Sequence, residues 1–215
     1  MTPALQSHAM LALCRSSPVI PVLVIESVDE AAPLALALRE GGLPVLEVTL
    51  RTPAALDAIS AMARVPGVRV GAGTVLSAHD AARAKAAGAE FVVAPGATPG
   101  LVAASVAQEL PLMPGAATAS EVMTLQERGY SMLKFFPAEA AGGTRMLSAL
   151  TGPLPRVRFC PTGGIAAEGA PDYLRLRNVV CVGGSWIAPP QMVAARDWQG
   201  ITALARAAAS LSRSS

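Results

Sequence analysis

Two lysines stand against fifteen arginines in this 215-residue chain, and one of them, Lys134, lies inside the apolar run Ser131-Met132-Leu133-Lys134-Phe135-Phe136-Pro137. An unpaired ammonium is costly in a low-dielectric interior, so a lysine placed there gives up its proton or finds a carboxylate. Either way its amine is a candidate nucleophile. The alternatives are a side chain that snorkels to the strand end and a structural ion pair. Lys85 is a contrast: Ala81-Ala82-Arg83-Ala84-Lys85-Ala86-Ala87-Gly88 reads as an exposed helix face ending at glycine, and it takes no role.

A second set of reactive groups lies on residues 45–51. Read as a strand, this segment places Val45, Glu47, Thr49 and Arg51 on one face and Leu46, Val48 and Leu50 on the other. At about 3.3 Å per residue, Glu47 and Arg51 stand about 13 Å apart along the strand and reach different parts of a ligand. The same alternation puts Met132, Lys134 and Phe136 on one face, with Leu133 and Phe135 on the other. If both reactive faces look into one enclosure, an acid meets an amine. Glu47 is then a structural partner of Lys134, or a group that orients the amine and moves its protons.

Glycine-rich segments supply the third kind of chemistry. Thr162-Gly163-Gly164-Ile165 and Gly183-Gly184-Ser185-Trp186 follow two late strands. Glycine lets backbone approach an anion closely, and amides at the start of a following helix donate to it; glycine also serves tight turns with no ligand at all. Gly71-Ala72-Gly73-Thr74 and Pro95-Gly96 are turns that would border the same mouth. Thr74 has a hydroxyl to offer a carboxylate, with Arg51 supplying the opposing charge.

These groups need elements to hold them. The chain repeats a short apolar strand, a turn and an Ala/Leu-rich helix at roughly 20-residue intervals, the spacing of βα units. Eight strands are expected, at 19–25, 45–50, 68–71, 91–94, 112–114, 132–136, 157–161 and 179–182, with an extra helix near 3–14 and a last one near 197–213. No linker interrupts the series. The expectation is therefore one domain over residues 1–215, an α/β fold of the (β/α)8 TIM-barrel type with an extra N-terminal helix, rather than an open doubly wound sheet. In such a barrel reactive groups gather at the C-terminal strand ends.

Composition excludes several functions. A net charge of +2, with fifteen acidic residues scattered among the basic ones, leaves no footprint for nucleic acid or an anionic membrane. The longest uncharged stretches, 91–108 and 178–195, are broken by Pro and Gly and make poor membrane spans. Cys14, Cys160 and Cys181 are odd in number and outside any CxxC pattern, which argues for a reducing cytoplasm and against a disulfide framework or zinc site. No basic residue precedes the apolar patch at 10–13, so it does not read as a secretory signal. His8 and His79 lack ligand-spaced companions, and neither metal nor cofactor is expected. A small-molecule substrate is.

Leu46-Glu47-Val48-Thr49-Leu50-Arg51-Thr52, Gly71-Ala72-Gly73-Thr74-Val75, Lys134-Phe135-Phe136-Pro137-Ala138-Glu139, Phe159-Cys160-Pro161-Thr162-Gly163-Gly164-Ile165 and Gly183-Gly184-Ser185-Trp186 together resemble the 2-keto-3-deoxy-6-phosphogluconate (KDPG) aldolase / 4-hydroxy-2-oxoglutarate aldolase family. Order and spacing are kept from about Pro18 to the final helix. The resemblance implies a class I, metal-free aldolase on a (β/α)8 barrel, a homotrimer, that cleaves a phosphorylated keto acid to pyruvate and glyceraldehyde 3-phosphate. It implies Lys134 as the Schiff-base lysine and Glu47 as the general acid/base. Arg51 and Thr74 match pyruvate-carboxylate contacts, Pro95 and Phe136 pocket walls, and the Gly163-Gly164 and Gly184-Ser185 turns the phosphate site. Thr162 leans towards the gluconate epimer.

Two segments depart from the family pattern. Ala166-Ala167-Glu168-Gly169-Ala170-Pro171 replaces a helix start that commonly carries Asn and Tyr, and Pro114-Gly115-Ala116-Ala117-Thr118 is small where relatives place a larger aliphatic side chain. The competing functions are an aldolase for 4-hydroxy-2-oxoglutarate or for the galactonate epimer, and a non-aldolase phosphate-binding barrel.

Overall fold

The computed structural model describes residues 1–212. Strands and helices alternate as β1 (Val19–Leu23), α2 (Val28–Glu40), β2 (Val45–Thr49), α3 (Ala55–Met62), β3 (Arg69–Gly73), α4 (Ala78–Ala86), β4 (Val92–Val93), α5 (Pro99–Ala107), β5 (Leu112–Met113), β6 (Gly115–Ala116), α6 (Ala119–Glu127), β7 (Met132–Phe135), α7 (Gly143–Thr151), β8 (Arg158–Pro161), α8 (Ala170–Leu174) and β9 (Val182–Gly184). Helix α1 (Pro3–Arg15) precedes them, and α9 (Pro190–Ala194) and α10 (Trp198–Ala209) follow. Thr2, Ser77, Thr98 and Thr118 start α1, α4, α5 and α6, each side chain accepting from a backbone amide three residues on.

All strand pairs are parallel, as crossover helices require. Six strands run in the order β5-β4-β3-β2-β1-β9, and three more in the order β6-β7-β8. The expected strand at 112–114 thus ends at Met113, and a strand not expected, β6, follows Pro114. Pro114 has no amide to give the ladder, although its carbonyl still accepts from the Lys134 amide at 2.9 Å. Single bridges, Phe159↔Val179 and Thr162↔Gly183, join the β8 and β9 regions. The result is an α/β fold built on a curled parallel sheet.

Burial explains the strand composition. β1, β2 and β7 are buried at every position, as expected of a parallel sheet covered on both faces. Val45 and Met132 fall into one apolar cluster with Ile20, Phe91, Val93, Met113, Cys160 and Cys181, while Leu46, Val48, Leu133 and Phe135 join the larger cluster shared with the helices. The alternation expected for β2 and β7 is therefore the one found. Met10, Leu13 and Cys14 of α1 complete the inner cluster. The helix is tied to β7 by the Tyr130 hydroxyl, which donates to Gln6 Oε1 at 2.6 Å, and by the Ser131 amide, which donates to Ser7 Oγ at 3.0 Å.

Two boundaries differ instructively. The expected last strand at 179–182 lies instead at Val182–Gly184, so Gly183 and Gly184 are strand residues rather than a loop after one. Their pairing with Ile20 and Pro21 of β1 outweighs the low strand preference of glycine. β3, expected to end at residue 71, runs on to Gly73 opposite Thr49. Of the expected terminal helix, position 213 lies outside the described residues; α10 itself ends at Ala209.

Candidate active site

Lys134 and Glu47 come from strands that are not neighbours, β7 and β2, and meet across the interior. Lys134 Nζ donates to Glu47 Oε1 at 3.2 Å, with the residues only 5 % and 1 % exposed. The lysine in the apolar run has found its carboxylate, so neither charge is buried alone. The ammonium also stands 5.1 Å from the centroid of the Phe136 ring, within cation–π range. Lys134 lies in β7 and Phe136 is the first residue beyond it, two positions on, just before the cis peptide bond Phe136–Pro137.

Room for the carboxylate is made by Gly73. A Cβ there would stand 2.2 Å from Glu47 Oε1, far inside van der Waals contact. Thr49, one turn of the alternation beyond Glu47, donates its hydroxyl to the Leu23 carbonyl at 2.9 Å and locks β2 to β1.

Lys134 opens onto a cavity of about 420 Å³. Of the residues singled out in the sequence, Arg51, Thr74, Pro95, Phe136, Thr162, Gly163, Gly164 and Ser185 line it together with Lys134. Glu47 does not; it sits beneath, behind the amine. Gly184 does not either, because a Cβ there would meet the Trp186 ring at 2.2 Å: its face is turned to that indole, and Gly183 takes its place on the wall. Val22, Thr49 and Ile165 complete the lining. Thr49 was legible from the alternation of β2, whereas Val22 and Ile165 are ordinary apolar residues with no signal of their own.

Local backbone shapes the rim. Thr74 holds a left-handed φ of 57°, an arrangement that costs a β-branched residue of order 1–3 kcal/mol and must be held by its surroundings. The next amide, Val75, is fixed on the Val93 carbonyl at 3.2 Å. On the opposite side, Gly163 and Gly164 have φ of 105° and 81°, conformations natural to glycine. Their turn is stitched to the loop after β7: the Ala138 amide donates to the Thr162 carbonyl at 2.8 Å and the Glu139 amide to the Gly163 carbonyl at 3.1 Å.

A buried amine beside a buried carboxylate, under a mouth with a guanidinium on one side and a glycine turn on the other, is equipped to condense with a carbonyl and to move the protons this requires. Among the described residues no group of three or more His, Cys, Asp or Glu is placed to hold a metal ion. The arrangement is that of a lysine-dependent carbonyl enzyme on a parallel α/β sheet.

Comparison with known proteins agrees. The model of the KDPG and KHG aldolase family matches residues 10–204, and the chain belongs to that family. It is 52 % identical over 192 residues, 89 % of each chain, to a 2-dehydro-3-deoxy-phosphogluconate aldolase of Pseudoalteromonas atlantica. Its fold superposes with a TM-score of 0.91, at 48 % identity and covering 97 % and 98 % of the two chains, on the 2-keto-3-deoxy-6-phosphogluconate aldolase of Zymomonas mobilis solved with 3-phosphoglycerate. With a TM-score of 0.90, 48 % identity and coverage of 93 % and 98 %, it matches the KDPG aldolase of Legionella pneumophila, in which pyruvate was captured as a covalent carbinolamine intermediate.

Proposed function

We propose that this chain is a class I aldolase that cleaves 2-dehydro-3-deoxy-6-phosphogluconate to pyruvate and D-glyceraldehyde 3-phosphate through an imine on Lys134. The observation that carries the reading is the buried Lys134–Glu47 contact of 3.2 Å at the floor of the cavity. Membership of the aldolase family and the pyruvate carbinolamine of the Legionella relative support it.

The chemistry follows from where electrons must go. Breaking a carbon–carbon bond beside a ketone requires a sink for the electron pair, and a protonated imine is one. Glu47 takes a proton from the ammonium, the free amine attacks the C2 carbonyl, and a second proton passes from the nitrogen to the new alkoxide, giving the neutral carbinolamine. Glu47 returns the proton to the carbinolamine hydroxyl, which leaves as water. As a carboxylate again, Glu47 removes the C4 hydroxyl proton while the C3–C4 bond breaks into the imine. The aldehyde departs, the enamine takes a proton at C3 from Glu47, and water releases pyruvate. Glu47, at hydrogen-bond distance from the amine, is the one acid/base group this sequence of transfers uses.

Binding roles follow from position. Arg51 and Thr74 on one rim take the carboxylate of the keto acid, in a charge-assisted pair. Across the mouth, the 163–164 turn and Ser185 hold the phosphate, and Gly184 supports them from behind the wall. Pro95 and Phe136 enclose the carbon chain, and Thr162 faces the hydroxyl-bearing carbons. Neither metal nor organic cofactor enters this reading.

We also read the two sheets as arcs of one (β/α)8 barrel spanning a single domain. The Lys134 amide bonded to the Pro114 carbonyl and the bridges Phe159↔Val179 and Thr162↔Gly183 support that closure. The family resemblance implies a homotrimer, which light scattering of the purified protein tests, and the three unpaired cysteines support a reducing, cytoplasmic location. No helix among the described residues is long and apolar enough to cross a membrane.

A second reading, turnover of 4-hydroxy-2-oxoglutarate, is favoured by the family itself, whose members include KHG aldolases. Coupled assay of pyruvate release from the gluconate, galactonate and oxoglutarate substrates tests both. The primary reading expects the phosphorylated gluconate to give the highest kcat/KM; a higher value for 4-hydroxy-2-oxoglutarate would replace it.

A further inference from the structure

We propose that Glu139 and Tyr173 are positioning residues that hold the 163–164 glycine turn against the cavity and so set the affinity for the phosphorylated end of the substrate. The inference rests on the reading of that turn as the phosphate site. Neither residue lines the cavity, and neither has a part in the imine chemistry.

Four contacts converge on the Glu139–Tyr173 pair. Its amide donates to the Gly163 carbonyl at 3.1 Å, so its backbone is fixed to the turn directly. Its side chain lies flat on the turn: a Cβ on Gly164 would stand 2.9 Å from Glu139 Cβ and Cγ. Its carboxylate accepts a hydrogen bond from the Tyr173 hydroxyl. Finally, a Cβ on Gly143, where φ is 57°, would approach the same hydroxyl at 3.1 Å, so the first residue of α7 closes over the pair.

Tyr173 makes a firm anchor because its ring belongs to the buried core, at 2 % exposure, and only its hydroxyl reaches outward from α8. Burial and the adjacent Glu139 carboxylate both push that phenol well above its ordinary range, so it stays a proton donor throughout the physiological range.

The arrangement solves an electrostatic problem. Glu139 is an exposed carboxylate packed on the turn that is to receive a dianion, and like charges at that range repel. The Tyr173 hydroxyl draws the carboxylate towards α8 and fixes its rotamer. The turn is thereby buttressed by the methylenes of Glu139, with the charge held to the far side. On the other flank the turn meets Phe136, whose ring would stand 3.2 Å from a Cβ on Gly163. The turn is thus clasped between a side chain of the imine strand and one anchored in α8.

The test compares Tyr173→Phe, Glu139→Ala and Glu139→Gln with the wild type. Each is assayed on the phosphorylated keto acid, on its unphosphorylated counterpart 2-keto-3-deoxygluconate, and for exchange of the pyruvate methyl protons in deuterium oxide. Losing a hydrogen bond to a charged group should raise KM for the phosphorylated substrate about tenfold in Tyr173→Phe and Glu139→Ala. Their kcat, the unphosphorylated reaction and pyruvate exchange should stay within about twofold, on the same reasoning that only uniform binding is lost. Glu139→Gln keeps both the methylenes and an acceptor, and should restore wild-type KM.

A parallel fall in all three reactions, or unchanged KM for the phosphorylated substrate in both Tyr173→Phe and Glu139→Ala, overturns the proposal. Failure of the phosphate-site reading would look different: the wild type itself would then show no preference for the phosphorylated substrate. Failure of the aldolase reading would abolish wild-type pyruvate exchange.

Discussion

Gly73 and Glu47 share one volume: a methyl group at position 73 would stand 2.2 Å from the carboxylate oxygen that accepts from Lys134, and 2.7 Å from its Cγ. The glycine is the space in which the Glu47 carboxylate lies. Gly73→Ala should therefore push Glu47 out of line with the amine. Overpacking at a buried site costs about 1–3 kcal/mol, and a misplacement near 1 Å about a hundredfold in rate. Thermal melting and kcat measured on one preparation check this; an alanine variant of wild-type activity would show that the carboxylate has another place to go.

Glu47→Gln separates proton transfer from packing. The amide is isosteric and still accepts from Lys134, so the fold should survive with a modest loss of Tm. Without a titratable group at the floor, kcat should fall by about 10²–10⁴-fold, the usual share of a general acid/base. Steady-state turnover with circular dichroism as a folding control is the measurement.

The inner cysteines should be silent. Cys14, Cys160 and Cys181 are free and buried in one cluster. The Cys181 thiol is pushed well up by hydrogen bonding to Cys14 and Cys160 and by burial, and the Cys14 thiol is also raised. For Cys14 and Cys181 thiol rather than thiolate is the resting form, thiolate is the species that reacts, and burial alone shields Cys160. A colorimetric thiol reagent should find none of the three in the native protein and all three in guanidinium.

Stability should respond to acid through α6, the helix that leads into the lysine strand. Glu121 closes a capping box with Thr118, and hydrogen bonds from the Ala117 amide, above all, lower its carboxyl below the usual range. A depressed carboxyl contributes stability that is present above its unfolded pKa and lost as pH falls through the folded one. Its exposure keeps the effect small, under about 1 kcal/mol. The Tm of Glu121→Gln should lie below wild type at pH 7, and the gap should close at low pH; a constant gap would assign the effect to something other than charge.

At the alkaline end, Tyr130 anchors α1 to β7 through Gln6, and burial pushes its phenol up to about 12. A raised phenol contributes stability that is complete below its unfolded value near 10 and disappears as pH rises through about 12. Tyr130→Phe leaves the Gln6 oxygen unpaired in the interior and should cost about 1–3 kcal/mol at pH 7. Urea melts at pH 7 and pH 10.5 check both statements: the Phe variant is weaker at the first and loses less stability than wild type between them.

How much of this could be read beforehand varied with the range of the interaction. Lys134 stood out because a charge in an apolar run is a local anomaly, and Glu47 followed from strand parity alone. The mouth residues Arg51, Thr74 and Ser185 were legible because strand ends converge in this kind of fold. By contrast, nothing local marks Gly73 as the seat of a carboxylate, since its conflict is with a residue of the neighbouring strand. Gly183 and Gly184 looked like a turn because glycine favours turns, and only their pairing with β1 makes them strand. Pro114 carried its warning openly, as proline interrupts a ladder, yet it reads as the end of the strand 112–114, and Gly115 and Ala116 beyond it give no strand signal although they pair with β7. The Glu139–Tyr173 contact joins a loop to helix α8 across thirty-four residues and has no periodic signature at all.

The central claim is a covalent bond between Lys134 Nζ and a keto carbon. Incubating the protein with pyruvate, reducing with borohydride and mapping the modified peptide by mass spectrometry tests it most directly. The account predicts one reduced pyruvyl adduct per chain, on Lys134, absent without pyruvate and absent in Lys134→Ala. An unmodified Lys134, or an adduct on Lys85 alone, would contradict it.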